Sequence, residues 1–265
     1  MRSFRLKIAS LALLVLCTAA LAGELRERFE KTYPLQQQGR FSLENTNGTV
    51  QVTAWERNEV KITAEKIARA GRESEAQRLL DATEIIVRDE KDNIEVYTRT
   101  PKTGGDSFWG WIFGEGGNSV TVNYTLTVPR EIYMKIVSVN GKIGAREISG
   151  KAELETTNGG IEVEDAEGSI SAETTNGRIL VSLREVARNE SMHFETTNGG
   201  VVAEFPHDFS AKISARTTNG SIRCDFPLTM ESRTGRNSLE GRIGDSSGTV
   251  TLRTTNGSIA IRQRS

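Results

Sequence analysis

Leu154-Glu155-Thr156-Thr157-Asn158-Gly159-Gly160-Ile161-Glu162-Val163 is followed 18 residues on by Ala172-Glu173-Thr174-Thr175-Asn176-Gly177-Arg178-Ile179-Leu180-Val181. The shared phrase is apolar–Glu/Arg–Thr–Thr–Asn–Gly–x–Ile/Val–x–Val/Ala. It centres on Asn47-Gly48, Asn140-Gly141, Asn158-Gly159, Asn176-Gly177, Asn198-Gly199, Asn219-Gly220 and Asn256-Gly257. From Asn140 to Asn219 the successive spacings are 18, 18, 22 and 21 residues. Self-similarity at such a period signals repeat architecture, and this reading decides the fold.

Aligned on Asn, the copies alternate with period two. Four places before it stand Leu43, Ile136, Leu154, Ala172, Phe194, Ala215 and Leu252. Three places after it stand Val50, Ile143, Ile161, Ile179, Val201, Ile222 and Ile259. Glu155, Glu162, Glu173 and Glu195 fill intervening positions. Successive strand side chains point to opposite faces, so each copy reads as strand, Asn-Gly corner, strand.

Two all-β architectures fit. Asn-Gly is a strong hairpin signal, and a run of hairpins gives an antiparallel meander or sandwich. In a β-solenoid, by contrast, each copy is one rung and equivalent residues stack. A hairpin has no use for a repeated Thr-Thr before the Asn, whereas stacked Thr and Asn side chains bond from rung to rung. Two short strands and two corners also suit the period, with Gly150 and Gly168 marking the second corner. The solenoid is therefore favoured. With rungs about 4.8 Å apart, Ile136 to Ile261 make a rod roughly 35 Å long. Ser238-Leu239-Glu240-Gly241-Arg242-Ile243 reads as a degenerate copy with Glu in the Asn place.

The pattern loosens before Arg130, which divides the chain into a β-rich part over 23–130 and the solenoid repeats over 131–265. Ser74 to Ala82 reads as a short helix with Ser74 as N-cap and Ala76, Leu79 and Leu80 on one face. Strands are expected at Glu59 to Lys66, Ile85 to Val87, Ile94 to Tyr97 and Val120 to Val128. Between them, Phe108-Trp109-Gly110-Trp111-Ile112-Phe113 sits among glycines and holds two of the three tryptophans. Such a loop either covers the open end of the solenoid or offers Phe108, Trp109, Trp111, Ile112 and Phe113 to a partner or a membrane interface.

Residues 1–22 read as a secretory signal peptide. Arg2, Arg5 and Lys7 precede the apolar stretch Ile8 to Leu16, and Ala20-Leu21-Ala22 offers a small-x-small cleavage pattern. Bulky Leu16 before Cys17 disfavours lipidation. Beyond residue 22 the chain carries 31 Lys+Arg against 35 Asp+Glu, a balance that does not favour nucleic acid. No later stretch reads as a transmembrane helix. Cys224 is left as a lone thiol, and its register five places after an Asn points it at the core as an inert small hydrophobe.

Catalytic chemistry has no concentrated signal. The chain has 2 histidines, His193 and His207, and neither has a partner at metal-ligand spacing. Asp225 and Asp245 are isolated, and the acids from Glu162 to Glu167 alternate along a strand rather than forming a calcium-binding repeat. No nucleophile elbow, phosphate loop or dinucleotide fingerprint is present. No catalytic, cofactor or metal site is expected.

The exported chain resembles a bacterial putative-adhesin family, a domain of unknown function built from β-strand repeats. The resemblance rests on Leu43 to Val52, then Trp55-Glu56-Arg57-Asn58-Glu59-Val60, Tyr124-Thr125-Leu126-Thr127-Val128-Pro129, Val137 to Ile143 and the Thr-Thr-Asn-Gly series. It implies an exported, elongated β-repeat protein associated with the cell envelope. Because the scaffold is regular and has no concentrated titratable site, the leading reading is a non-enzymatic envelope protein, periplasmic or at the surface, whose long β face binds protein or polysaccharide. An enzyme acting on polysaccharide and a module sensing envelope stress are the alternatives.

Overall fold

The Thr-Thr-Asn-Gly copies stack in parallel, with every Asn over an Asn. This is seen in a computed structural model that describes residues 23–100, 118–186, 189–245 and 248–264. The strands are β1 (Glu24–Pro34), β2 (Arg40–Asn47), β3 (Val50–Trp55) and β4 (Glu59–Arg69), then β5 (Glu84–Glu90), β6 (Asn93–Arg99) and β7 (Ser119–Pro129). The repeats supply β8 (Glu131–Asn140), β9 (Ile143–Arg146), β10 (Ser149–Asn158), β11 (Ile161–Asn176), β12 (Ile179–Val186), β13 (Ser191–Asn198) and β14 (Val201–Phe205). They continue as β15 (Ala211–Asn219), β16 (Ile222–Cys224), β17 (Thr229–Gly235), β18 (Ser238–Ile243), β19 (Thr249–Asn256) and β20 (Ile259–Gln263). A single helix, α1 (Glu73–Asp81), is found among the described residues.

The strands form a β-solenoid with two faces. One face runs β5-β6-β2-β8-β10-β11-β13-β19-β15-β18-β17. The other runs β1-β4-β7-β3-β9-β11-β12-β14-β20-β16. Long β11 serves both, passing through a second corner where Asp165 has φ 54° and Gly168 has φ 98°. The preceding rung repeats this corner, with Glu147 at φ 57° and Gly150 at φ 101°. At about 4.8 Å per strand the first face is roughly 48 Å long, of which β8 to β17 take about 34 Å.

The inward ladders are apolar, as the alternation requires. Leu43, Ile136, Leu154, Phe194 and Leu252 are fully buried on one side, and Val50, Ile143, Ile161, Ile179 and Val201 on the other. Ladder neighbours pair in register, so Phe194 lies between Ala172 and Leu252. One continuous cluster includes both these ladders together with Val60, Ile62, Ala64 and Ala68 of β4 and the buried apolar residues of β6 and β7. The coil thus continues across Arg130: β2/β3 stack directly on β8/β9.

Rung order departs from chain order at both ends. The Asn256 copy inserts between the Asn198 and Asn219 copies. The Asn47 copy likewise inserts between β6/β7 and β8/β9. Antiparallel strands then close the stack, β5 and β4/β1 at one end and β18/β17 at the other.

Three local expectations are corrected. Ser238 to Ile243 is not a degenerate rung: β18 runs antiparallel to β15, with Glu240 opposite Ser214. The helix starts one residue earlier than expected, with Arg72 as N-cap and no side-chain cap bond, although Ala76, Leu79 and Leu80 are buried against β1, β4 and β7. The repeated first Thr does not bond to the next Thr. Thr156, Thr174, Thr196, Thr217 and Thr254 each donate to the carbonyl of a corner glycine one rung away, at 2.8–3.2 Å.

Candidate functional site

Binding capacity must be sought outside the corner ladder, because the corner side chains already satisfy one another. Asn140 Nδ2 donates to Asn47 Oδ1 at 2.7 Å, and Asn158 to Asn140 at 2.8 Å. Asn176, Asn198 and Asn256 continue the chain of amides, which Asn219 closes by donating to Asn256, each at 2.8 Å. Beside it, the glycines approach one another so closely that no side chain fits. A Cβ on Gly159 would lie 2.0 Å from Gly141 O. On Gly177, Gly199, Gly220 or Gly257 it would lie 1.9 Å from the next glycine's carbonyl oxygen. Gly177 shows no left-handed φ. Close approach, not turn geometry, requires glycine there. The corner is a structural spine.

The aromatic stretch Phe108, Trp109, Trp111, Ile112 and Phe113 lies outside the described residues, as does the 1–22 segment. His193 is on the outer face, 2.9 Å from Glu195, and His207 is exposed. Glu164 and Glu167 are held by cations: Arg146 lies 2.7 Å from Glu164, and Arg130 and Arg184 lie 3.1 and 3.0 Å from Glu167. Lys142 bonds Glu162 and holds its carboxyl below the usual range. Among the described residues no group of three or more His, Cys, Asp or Glu is placed to hold a metal ion. Nor is any helix among them long and apolar enough to cross a membrane. Cys224 packs half-buried against the core at the terminal rung, and burial pushes its thiol pKa up.

The outer surface of the first face carries one exception to its polar pattern. Tyr133 is the only large hydrophobic residue exposed among those described, at 49%. Alternation puts it there: its neighbours Ile132 and Met134 are buried. It occupies the column seven places before the Asn, where other copies have Arg40, Lys151, Ser169, Ser191, Lys212 and Thr249. Pairing sets Arg40 on one side of Tyr133 and Lys151 on the other, one rung away each.

Two shallow clefts meet at Tyr133. The first, about 410 Å³, is lined by Arg40, Asn93, Lys135, Lys151 and Glu153, besides the tyrosine. Lys151 reaches Glu153 at 3.0 Å, and Lys135 lies 2.9 Å from Glu155 and 3.8 Å from Glu153. The hydrogen bond that Lys135 donates to Glu155 raises the lysine's pKa, so that amine stays charged. Arg40 forms no ion pair with any described residue. The second cleft, about 360 Å³, shares Lys151 with the first but is mainly acidic, with Glu131, Glu167, Glu185 and Glu190 in its walls. A third groove follows the stacked pairs Glu155/Thr157, Glu173/Thr175 and Glu195/Thr197.

Sequence reasoning passed over Tyr133, Arg40 and Lys151. The available signal was an aromatic residue in a column of otherwise polar outward positions.

Among solved structures, the chain is similar to a putative cell adhesion protein from Clostridium sporogenes ATCC 15579, at 17% identity and TM-score 0.46 over 89% of this chain and 100% of that one. It is also similar to a putative adhesin from Bacteroides fragilis NCTC 9343 (10% identity, TM-score 0.29, 89% and 97% covered). A putative lipid binding protein from Parabacteroides distasonis ATCC 8503 is a third (9%, 0.34, 90% and 97%). Curated proteins give no significant match. Residues 113–262, more than half of the chain, match the family described as Toastrack DUF4097, and the chain belongs to that family.

Proposed function

We propose that this protein is an exported, non-enzymatic binding scaffold of the cell envelope, of adhesin type, and that its elongated β face engages a polysaccharide or protein partner. Export rests on the basic–apolar–small pattern of residues 1–22. The observation that supports binding is Tyr133: an exposed ring on a rigid, otherwise polar face, at the junction of two clefts. A stacked solenoid holds such a platform fixed, so little ordering entropy opposes capture.

The test is retention of envelope glycans and envelope proteins by the immobilised protein, compared with Tyr133→Ala. Capture of a defined partner, weakened in the variant, is expected. If neither class of partner is retained by the wild type, the scaffold reading fails. One observation favours polysaccharide turnover as a second reading, the gathering of Glu131, Glu185 and Glu190 in the acidic cleft. Release of reducing ends from a glycan panel tests it.

A further inference from the structure

The cleft on the Arg40 side of Tyr133 has a chemistry of its own. Its lining holds three cations, Arg40, Lys135 and Lys151, against the single carboxylate of Glu153. Residues 23–206, which include it, carry 22 Lys+Arg against 30 Asp+Glu, so this cationic lining runs against the surrounding charge. Glu153 draws on Lys151 and Lys135 only, which leaves the Arg40 guanidinium with its donors unused by the described residues. The other side of Tyr133 is acidic, through Glu131, Glu185 and Glu190, although Lys151 borders this cleft too and its Glu167 is held by Arg130 and Arg184. An anionic ligand seated on the ring would therefore be pushed from that side and drawn toward Arg40.

The ring sets the rest of the ligand. The face of an aromatic ring carries partial negative charge and attracts positively polarised C–H groups such as those of a pyranose. Register places Arg40 and Lys151 on the adjacent strands, about 4.8 Å to either side of the tyrosine, within the reach of one substituted sugar. Asn93, paired with Arg40 on β6, adds an amide for ring hydroxyls. A guanidinium also takes a carboxylate in bidentate fashion.

We infer that Tyr133, Arg40 and Lys151 form a subsite for an acidic sugar, a uronate unit of a polysaccharide stacked on the tyrosine with its carboxylate on Arg40. This rests on the binding-scaffold reading above and names the ligand class of that same surface. Glu153 restrains Lys151, so Arg40 supplies the principal contact to the carboxylate and Lys151 a weaker one.

The experiment measures binding of the purified full-length protein to oligogalacturonate by calorimetry, with an uncharged gluco-oligosaccharide of equal length and inorganic polyphosphate as the other arms. Oligogalacturonate is expected to bind and the neutral oligosaccharide to bind at least about tenfold more weakly. Tyr133→Ala should weaken oligogalacturonate by about tenfold, while Tyr133→Phe, which keeps the ring, stays within about threefold of wild type. Arg40→Gln should abolish the preference for the charged oligosaccharide and flatten the salt dependence.

All three side chains are on the surface, so unchanged thermal unfolding shows that the variants are folded. Equal affinity for charged and neutral oligosaccharides overturns the inference. So does polyphosphate binding that Arg40→Gln removes and Tyr133→Ala leaves intact, since that describes a bare anion site. Retention of envelope glycans that survives Tyr133→Ala overturns this subsite and spares the scaffold reading; loss of all retention by the wild type sinks both.

Discussion

Replacing Gly177 with Ala is expected to destabilise the protein by about 3–5 kcal/mol, through rung spacing alone. The added Cβ would sit 1.9 Å from Gly159 O, 2.5 Å from Gly159 C and 2.9 Å from Gly160 N. All three are backbone atoms of the neighbouring rung, so no side chain can swing away. The corner must open by more than about 1 Å, since close-packed interiors have no slack to absorb a methyl group. Among the hydrogen bonds that cross that boundary at the corner, three lie nearest the added methyl: Asn176 Nδ2 to Asn158 Oδ1 at 2.8 Å, Thr174 Oγ1 to Gly159 O at 2.8 Å and Gly159 N to Asn176 O at 2.9 Å. At about 1 kcal/mol each they account for about 3 kcal/mol, and overpacking adds about 1–3 kcal/mol, less whatever relaxation recovers. For a domain of this size about 2–4 °C accompanies each kcal/mol, so the melting temperature should fall by roughly 6–20 °C. Circular dichroism during heating measures it. Gly71→Ala is the control: its Cβ meets nothing within 4 Å, and a small stabilisation of under about 1 kcal/mol is expected. Equal melting temperatures for wild type and Gly177→Ala would refute the claim that glycine is required here by approach.

The threonine column makes a paired prediction: Thr196→Val should cost about 1–2 kcal/mol in urea denaturation, because it removes the 2.9 Å bond to Gly177 O. Ser138→Ala, at the same column but with a buried hydroxyl that has no partner, should cost under about 0.5 kcal/mol. Deleting residues 249–265 should abolish cooperative unfolding, because β19/β20 lie between two rungs and bury Val250, Leu252, Ile259 and Ile261. A truncated chain that melts like the wild type would show that rung to be dispensable. Lastly, Glu162 has its pKa lowered by the Lys142 bond, so its stabilisation is complete above the unfolded value of about 4.3 and vanishes as pH falls through the depressed folded value. Glu162→Gln should therefore show a shallower loss of melting temperature between about pH 5 and pH 3 than wild type.

Much of this architecture is legible in the residues themselves. Period-two alternation assigned Phe194 and Ile161 to the core and Glu155 and Glu173 to the outside, because a strand has only two faces. The Asn amide column was equally readable, since a side chain that both donates and accepts can bond to its own copy. Tyr133 was legible only as an irregularity, one aromatic in a polar column. Its significance depends on Arg40, 93 positions earlier in the chain, and on Lys151, both brought beside it by pairing across rungs.

By itself, the sequence determined the unit, an apolar ladder with a Thr-Thr-Asn-Gly corner, and it favoured a parallel stack of copies over a run of hairpins, through local alternation and self-complementary side chains. It could not state which copy neighbours which. Every copy offers the same Asn amide and the same apolar edge, so Asn219 would fit on Asn198 as well as Asn256 does. Tertiary structure made that choice, closing the penultimate rung at each end with a terminal segment and capping it with antiparallel strands. It also decided what the glycines are for. A glycine in an Asn-Gly pair reads the same whether it serves a left-handed turn or a close approach, and only the stacked rungs, where a Cβ on Gly177 would fall 1.9 Å from Gly159 O, show that at Gly177 it is the second.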